Sequence, residues 1–442
     1  MNRRQFIQHT GAASAAMALP RIGFGTDTEA DSGADRKLNI AILGTGWFGA
    51  DLLLPNALAS GHFTVVALCD VNQNAFQTSL ATLEKAGQPT PAVFSDYKKM
   101  YDLPGLDAVV IATPTHWHAL QFVDACQKGL HVFLEKPVSY DIAESKAMLA
   151  AHQKANNVVV VDFERVQFDT NGQVRAFIAS GEAGNIRQVL VNLHNPEGMP
   201  VEKSVPATLD FDAFCGPVPL QKFLCDTNSN KPNWRGNHAF GRGTMVDWGA
   251  HYLHNARKVM NLGLPDSVRA TGGNVTNKGA EQPDWMEVVF DYGGLPVQYS
   301  QRAWGYQSPN PDTNIGVWYM GDKASIFTGE FGWEVYPANG KPSINHGEIG
   351  FKPWTPEFGT KMNDGIRKQF VELAEGIAAK SNRKISAPLD DAILTNTAMI
   401  MADLAYRTGA GLLTKRELDG ADASVSVLLK RPYRAGYKHP FS

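Results

Sequence analysis

The hydrophobic positions follow different patterns in the two halves of the chain. Between residues 37 and 162, short apolar runs alternate with amphipathic stretches of helical period. We expect strands at residues 38–43, 64–68, 93–94, 106–111, 131–134 and 158–161. Continuous apolar runs are typical of strands buried on both faces. The alternation therefore predicts an α/β domain, with a doubly wound parallel sheet and right-handed crossovers.

From residue 163 to 442, predicted strands follow one another with turns between them. We expect strands at 186–194, 268–273, 286–291, 297–303, 315–321, 325–328 and 333–336. We expect helices at 173–179, 243–260, 366–379 and 389–408, and the last helices should pack back on the first domain. Strands in succession predict an α+β domain, with an open, mostly antiparallel sheet and helices on one face.

Residues 1–36 are a segment apart from both domains. Arg3 and Arg4 form a twin-arginine pattern, and an alanine-rich apolar stretch follows at residues 11–19. That stretch is too short to span a bilayer, so we expect no stable membrane insertion. The pattern predicts export through the twin-arginine route to the periplasm. The alternative is an amphipathic tail whose arginines stand there by chance.

Charge and cysteine content narrow the classes of function. The 442 residues carry a formal net charge of -3, which gives no electrostatic case for binding nucleic acid or an anionic membrane. The four cysteines show no metal-ligand spacing, so we predict no metal site. Cys215 and Cys225 could pair in an oxidising compartment, or both could be free thiols.

A glycine motif joins the first predicted strand to the first helix. Gly44, Gly46 and Gly49 have the G-x-G-x-x-G spacing, and Asp70 closes the next strand. These glycines allow a tight turn, close approach to a pyrophosphate and close packing of helix on strand. The helix N-terminus offers N–H groups to the phosphates. Because a carboxylate at Asp70 can bind the ribose hydroxyls and repels a 2′-phosphate, we predict NAD rather than NADP.

Two further strand ends should lie beside this cofactor, because ligands bind parallel sheets at the carboxyl ends of their strands. They are residues 112–118 and Glu135-Lys136-Pro137. Pro137 can take the cis form, which would hold Lys136 out into the cleft. Lys136 could hydrogen-bond the nicotinamide ribose and the reacting hydroxyl, although a solvated Glu-Lys pair at a turn is the commoner arrangement.

Asp247 and His251 are the candidates for proton transfer. They stand four residues apart in a predicted helix and so share one face. Oxidation of a carbinol needs a base for the hydroxyl proton, and histidine titrates in the right range. An ordinary helix-surface pair is the alternative. Trp234, Arg235 and Trp248 favour the active interpretation, because aromatic faces and forked donors suit carbohydrate.

Several motifs together resemble the Gfo/Idh/MocA oxidoreductase family. They are AILGTGWFG at 41–49, LCD at 68–70, IATPTHWHA at 111–119, EKP at 135–137, FDAFCGPVP at 211–219, NWRG at 233–236, D-x-x-x-H at 247–251 and LAYRTG at 404–409. The resemblance covers nearly the whole chain beyond residue 36. It implies a Rossmann domain at 37–162, a substrate and oligomerisation domain at 163–442, a bound NAD(P), and a homodimer or homotetramer.

The resemblance also implies a set of site residues. Lys136 and His251 would be catalytic, with Asp247 contacting substrate or orienting it. The cofactor would contact Gly44, Gly46, Trp47, Phe48, Gly49, Asp70, Thr113, Pro114, His118, Glu135 and Lys136. The substrate would contact Arg165, Trp234, Arg235, Asp247 and His251.

Two activities fit these residues. The first is NAD-dependent oxidation of a CH–OH group of a sugar, glycoside or polyol, with NAD held tightly. The second is an NAD-dependent glycoside hydrolase, which works by transient oxidation, elimination, hydration and re-reduction and needs no pair of catalytic carboxylates. A sugar-binding protein without turnover would lack Lys136 or His251, and both are present.

Overall fold

The computed structural model describes residues 36–194, 199–226, 229–305, 311–338, 344–347, 349–350, 356–409, 412–418 and 429–441. The predicted export signal therefore lies outside the described residues. Two large sheets organise the chain from Lys37 onward. No described helix is both long enough and apolar enough to cross a membrane.

The first sheet is built from parallel strands in the order β3-β2-β1-β4-β5-β6. These strands are β1 (Leu38–Leu43), β2 (Phe63–Cys69), β3 (Ala92–Phe94), β4 (Ala108–Ile111), β5 (His131–Leu134) and β6 (Val159–Val161). The central strands β1, β4, β5 and β6 are almost entirely buried, as continuous apolar runs require. This is the predicted doubly wound α/β sheet.

The connecting helices are α1 (Leu54–Ala59), α2 (Phe76–Lys85), α3 (Tyr97–Tyr101), α4 (Thr115–Gln127) and α5 (Ile142–Ala155). A π-helical turn at Gly49–Leu53 precedes α1, and Pro55 lies in the first turn of α1. Helix α4 begins directly after the extended residue Pro114.

The second sheet has the order β16-β15-β14-β13-β7-β12-β11-β10-β17. Its strands are β7 (Ile186–His194), β10 (Ser267–Gly273), β11 (Trp285–Tyr292), β12 (Leu295–Arg302), β13 (Gly316–Gly321), β14 (Ala324–Thr328), β15 (Trp333–Pro337), β16 (Ile344–His346) and β17 (Leu412–Thr414). A separate two-stranded sheet pairs β8 (Val201–Glu202) with β9 (Leu224–Cys225). Only the β7–β12 pair is parallel among the described strand pairs of the large sheet, so the prediction of a mostly antiparallel sheet is confirmed. The edge strands β16 and β17 were not predicted.

The remaining helices are α6 (Asp169–Ala179), α7 (Phe211–Cys215), α8 (Gly243–Asp247), α9 (Gly249–Met260), α10 (Pro356–Ala379), α11 (Leu389–Arg407) and α12 (Lys415–Leu418). Helices α9 and α11 pack on the second sheet. Helix α11 also contacts α5 and β6 of the first domain. Helix α10 packs on the first sheet, where Phe370 stacks on Phe133 with ring centroids 4.2 Å apart. The helix predicted at 243–260 is divided at Trp248. All four cysteines are buried free thiols, so Cys215 and Cys225 are not paired.

Residues 429–441, which we call the C-terminal segment, are anchored at the N-terminus of α5. The Arg431 backbone N–H donates to Asp141 Oδ2 at 2.9 Å, and the Arg431 side chain pairs with the buried Glu144 at 2.8 Å. The guanidinium also lies over the rings of Tyr140 and Tyr433. Asp141, Glu144 and His439 lie close enough together to hold a metal ion. All four carboxylate oxygens, however, already accept hydrogen bonds, which leaves no reason to place a metal there.

Candidate functional site

A cleft of about 1990 Å³ opens at the carboxyl ends of the parallel strands. The loops after β1, β2, β4 and β5 form one wall of it. Helices α8 and α9, the segment around Trp234 and part of the C-terminal segment form the rest. Both predicted domains therefore contribute side chains to one site.

The glycine loop has the shape that a dinucleotide needs. Gly44 has a φ of +92°, and a Cβ there would lie 2.7 Å from the Ala112 carbonyl group. A Cβ at Gly49 would lie 2.0 Å from the Gly44 oxygen, so only glycine allows the turn to close. Gly46 has no atom within 4 Å of its Cβ position and lines the cleft, which leaves room for a pyrophosphate. These residues fit a dinucleotide cofactor.

Asp70 lies at the end of β2 and lines the cleft beside this loop. Its carboxylate accepts hydrogen bonds from the backbone N–H groups of Thr45 and Asn72, each at 2.8 Å. Burial raises the pKa of Asp70, while these N–H groups oppose that change. Asp70 is thus tied to the glycine loop as well as facing the cleft.

The other predicted cofactor residues divide into two groups. Those that line the cleft are Gly44, Gly46, Trp47, Phe48, Asp70, Thr113, Pro114, Glu135 and Lys136. His118 and Gly49 are not among the lining residues. The buried His118 ring lies between two backbone carbonyls, with Nδ1 2.8 Å from Pro137 O and Nε2 2.7 Å from Thr113 O. Burial lowers its pKa to about 4, so His118 joins two strand ends as a neutral ring.

Lys136 is the link between the two domains at the centre of the cleft. The Lys136–Pro137 bond is cis. Lys136 Nζ donates to Asp247 Oδ1 at 2.8 Å and to the Asp247 carbonyl at 3.2 Å. The other Asp247 oxygen accepts from Arg235 Nε. Burial would raise the pKa of Asp247, but the cations of Arg235 and Lys136 lower it to about 2.

His251 follows Asp247 on the cleft wall. Its Nδ1 lies 3.5 Å from Glu164 Oε2, and both side chains are almost completely buried. Burial, together with the charges of Arg165 and Lys136, lowers the pKa of His251 well below its usual value. The imidazole is therefore neutral at neutral pH and able to accept a proton.

Arg165, predicted to contact substrate, lines the cleft but is largely engaged by protein. Its Nε donates to both oxygens of Glu330 at 3.0 and 3.2 Å, and its NH1 donates to Glu164. Tyr252 donates to the same Glu330 at 2.6 Å.

Burial and the neighbouring Asp162 raise the pKa of Glu135 well above its usual value, which favours the neutral acid there.

Among the predicted sugar-contact residues, Trp234 and Arg235 line the cleft together, with the guanidinium 4.3 Å from the indole ring. Glu164 and residues 436–440 also line the cleft, and Glu330 holds Arg165 there, but none of these residues was predicted. Glu164 directly precedes Arg165, which was predicted to contact substrate, so its place in the sequence could have identified it. Glu330 follows β14 and gave no local signal.

Two family models match the chain. Residues 38–163 match the model described as "Oxidoreductase family, NAD-binding Rossmann fold". Residues 217–326 match the GFO/IDH/MocA C-terminal domain. Together the two models cover more than half of the chain. The chain belongs to the Gfo/Idh/MocA family. Its first domain is an NAD-binding Rossmann domain, as the glycine motif predicted.

Curated relatives match over part of their length. A glycosyl hydrolase family 109 protein of Stenotrophomonas maltophilia is 33% identical over 141 residues, which are 30% of this chain and 29% of that protein. The uncharacterized oxidoreductase YrbE of Bacillus subtilis is 28% identical over 163 residues, or 37% of this chain and 46% of that protein. The chain thus covers less than half of these relatives.

Solved structures share the fold over a longer range. The aldose-aldose oxidoreductase of Caulobacter crescentus has a TM-score of 0.62 and 19% identity, and the match covers 86% of this chain and 100% of that one. An inositol dehydrogenase homolog of Azotobacter vinelandii, complexed with NAD+, has a TM-score of 0.65 and 17% identity over 86% of this chain and 98% of that one. At these identities the likeness concerns the fold.

Proposed function

We propose that this protein is an NAD-dependent oxidoreductase that oxidises a CH–OH group of a sugar, glycoside or polyol and keeps its NAD bound. One observation carries the proposal: Lys136 of the first domain and Asp247 and His251 of the second converge in a cleft that the dinucleotide loop also lines. An ammonium and a neutral imidazole beside a nicotinamide are the groups that carbinol oxidation needs.

The glycine loop would hold the pyrophosphate, and Asp70 would hold the adenosine ribose. Thr113, Pro114, Glu135 and the aromatic pair at residues 47–48 would complete the cofactor wall. When bound, NAD supplies the acceptor for the hydride that leaves the carbinol carbon.

The chain's own residues would manage the proton. His251 would accept the proton of the reacting hydroxyl, because its neutral imidazole is available at neutral pH. The Lys136 ammonium, held by Asp247, would donate a hydrogen bond to the same oxygen and stabilise the charge that develops there. Trp234 and Arg235 would offer the sugar a ring face and a planar donor.

The family 109 relatives favour a second candidate, an NAD-dependent glycosidase. An alpha-N-acetylgalactosaminidase of Shewanella oneidensis is also 24% identical over 162 residues. In such a cycle, oxidation of a ring carbon acidifies the neighbouring C–H, the aglycone leaves by elimination, water adds, and the hydride returns to the sugar. The same three residues would serve, and no NADH would accumulate.

A panel of chromogenic glycosides and free sugars, assayed with and without added NAD, separates the two candidates. Net NADH formation, or reduction of a second sugar, supports the oxidoreductase. Release of the chromophore with no net NADH supports the glycosidase. Lys136→Ala and His251→Ala serve as negative controls. If neither the glycosides nor the sugars react, both candidates are contradicted.

We also propose export through the twin-arginine route, which suits a protein that folds around its cofactor first. Because the periplasm offers no NAD pool, a cofactor that stays bound and is reoxidised within the cycle fits that address. Fusion of residues 1–36 to a reporter tests export, and a cytoplasmic reporter would contradict it. Measurement of NAD released from acid-denatured pure protein tests retention.

A dimer or tetramer is the expected assembly, and light scattering of the eluting protein tests it.

A further inference from the structure

Two buried polar atoms face each other at the cleft wall without any other partner. His251 Nδ1 and Glu164 Oε2 are 3.5 Å apart, and neither makes a hydrogen bond within the described part of the chain. The exposed fraction of the side chain is 6% for His251 and 1% for Glu164. Buried polar atoms normally have partners because an unmade hydrogen bond is costly. The natural partner of each atom is therefore the other.

The rest of Glu164 is already fixed. Its Oε1 accepts a hydrogen bond from Arg165 NH1, and Arg165 is held in turn by Glu330. Because Arg165 and Glu330 hold the carboxylate in place, its Oε2 faces His251 in a fixed position. On the imidazole, the contact at Nδ1 leaves Nε2 for a ligand in the cleft.

We propose that Glu164 is a positioning residue for His251. Glu164 Oε2 accepts a hydrogen bond from His251 Nδ1–H, so that the lone pair of His251 Nε2 faces the substrate hydroxyl. The proposal rests on the proposed function, in which His251 is the acid–base group. During oxidation the hydroxyl proton passes to Nε2, the Nδ1–H stays bonded to Glu164, and the hydride leaves for the coenzyme. The imidazolium is then balanced by the carboxylate, and the proton returns from Nε2 in the reverse reaction. A carboxylate that orients a histidine in this way is a recurrent device in acid–base catalysis.

The surroundings determine the pH at which this arrangement forms. Arg165, Asp162, Lys136 and Glu330 act on Glu164, and burial is the largest influence, raising its pKa to about 7. The side chains of Glu135 and Tyr252 also interact with it. The charged and titratable groups around His251 are Arg165, Lys136, His254 and Glu164 itself. With both groups buried, the pair should lose one proton near neutrality and become the carboxylate–imidazole form above that pH. Activity should rise as pH increases through this range.

Glu164→Gln and Glu330→Gln form a matched pair of variants. Each removes the charge of a buried carboxylate that binds Arg165, but only Glu164 contacts His251. The ring ¹⁵N shifts of His251 can be followed in protein labelled with ¹⁵N-histidine, with His251→Asn to assign the signal. We expect a titration step near pH 7 in the unmodified protein and in Glu330→Gln, and no step in Glu164→Gln.

The kinetic readout is separate from the spectroscopic one. Glu164→Gln should lower kcat by about 10²-fold with little change in KM. When His251→Ala is already present, adding Glu164→Gln should lower kcat little further, because the two residues act as one unit. Glu164→Asp keeps a carboxylate and should restore a titration step, which provides a second variant if the glutamine form does not fold. A His251 step that persists in Glu164→Gln, or that Glu330→Gln removes equally, would overturn the proposal. Because the shifts need no substrate, failure of the oxidoreductase assignment would leave this result standing.

Discussion

Asp247 provides the sharpest test of the site, because one carboxylate holds two cations. Its side chain is 9% exposed, and it bonds Lys136 Nζ at 2.8 Å and Arg235 Nε through its other oxygen. Replacement by asparagine keeps the shape and removes the charge. Lys136 and Arg235 would then face a neutral amide, and Lys136 would lose the group that fixes it.

The expected loss of stability follows from the pKa of Asp247. Folding lowers the pKa of Asp247 from 3.8 to about 2. At about 1.36 kcal/mol for each pKa unit, the ionised carboxylate contributes about 2 kcal/mol to the free energy of unfolding. Arg235 is 43% exposed, so solvent screens part of its attraction and this value is an upper estimate. Because the folded pKa is below the unfolded one, the stabilisation is fully present above pH 3.8. It is lost as the pH falls through about 2.

Urea denaturation of cofactor-free protein measures this difference. Between pH 5 and 7, Asp247→Asn should unfold more easily by about 2 kcal/mol, and the gap should narrow below pH 3.8. Asp322→Asn is the control, since Asp322 binds Arg187 at the exposed end of the second sheet and such pairs contribute little. Equal stability of Asp247→Asn and the unmodified protein at pH 7 would show that the carboxylate does not hold the two cations in solution.

Three other outcomes are expected. Lys136→Ala and His251→Ala should each lower turnover by about 10²–10⁴-fold while circular dichroism stays unchanged; normal rates in both would refute the site assignment. Asp70→Ala should weaken NAD binding in a fluorescence titration more than it lowers kcat at saturation, and the unmodified protein should bind NAD more tightly than NADP. Arg431→Ala leaves the buried Glu144 without its cation and should cost about 3–5 kcal/mol in urea denaturation; a loss below 1 kcal/mol would count against that pair.

The sequence predicts the first domain more fully than the second. Its apolar runs and the turn residues between them are local signals, and each predicted strand of the first sheet is present. Strands β16 and β17 were missed because they lie at the two edges of the second sheet, and each depends on pairing with a single neighbouring strand. The C-terminal segment was missed for a similar reason. Its residues show no periodicity, and its structure depends on Asp141 and Glu144 far back in the chain.

The site divides in the same way. Lys136, Asp247 and His251 belong to short motifs and could be found without a structure. The hydrogen bond from Arg165 to Glu330 joins residues that are 165 positions apart, and no local sequence pattern predicts such a pair. His118 shows the opposite case. Its motif predicts cofactor contact, but two backbone carbonyls surround its ring and only tertiary structure reveals them.

The place of the C-terminal segment has a consequence for how the protein is made. Residues 436–440 line the cleft, and the anchor at Arg431 precedes them by only a few positions. These residues are made long after the parallel sheet that carries the glycine loop, so the cleft wall stays incomplete until residues 436–440 have left the ribosome. Capture of the coenzyme in its final environment therefore has to wait for them. A change within residues 436–440 would alter that wall directly, whereas a change in a distant surface turn would not.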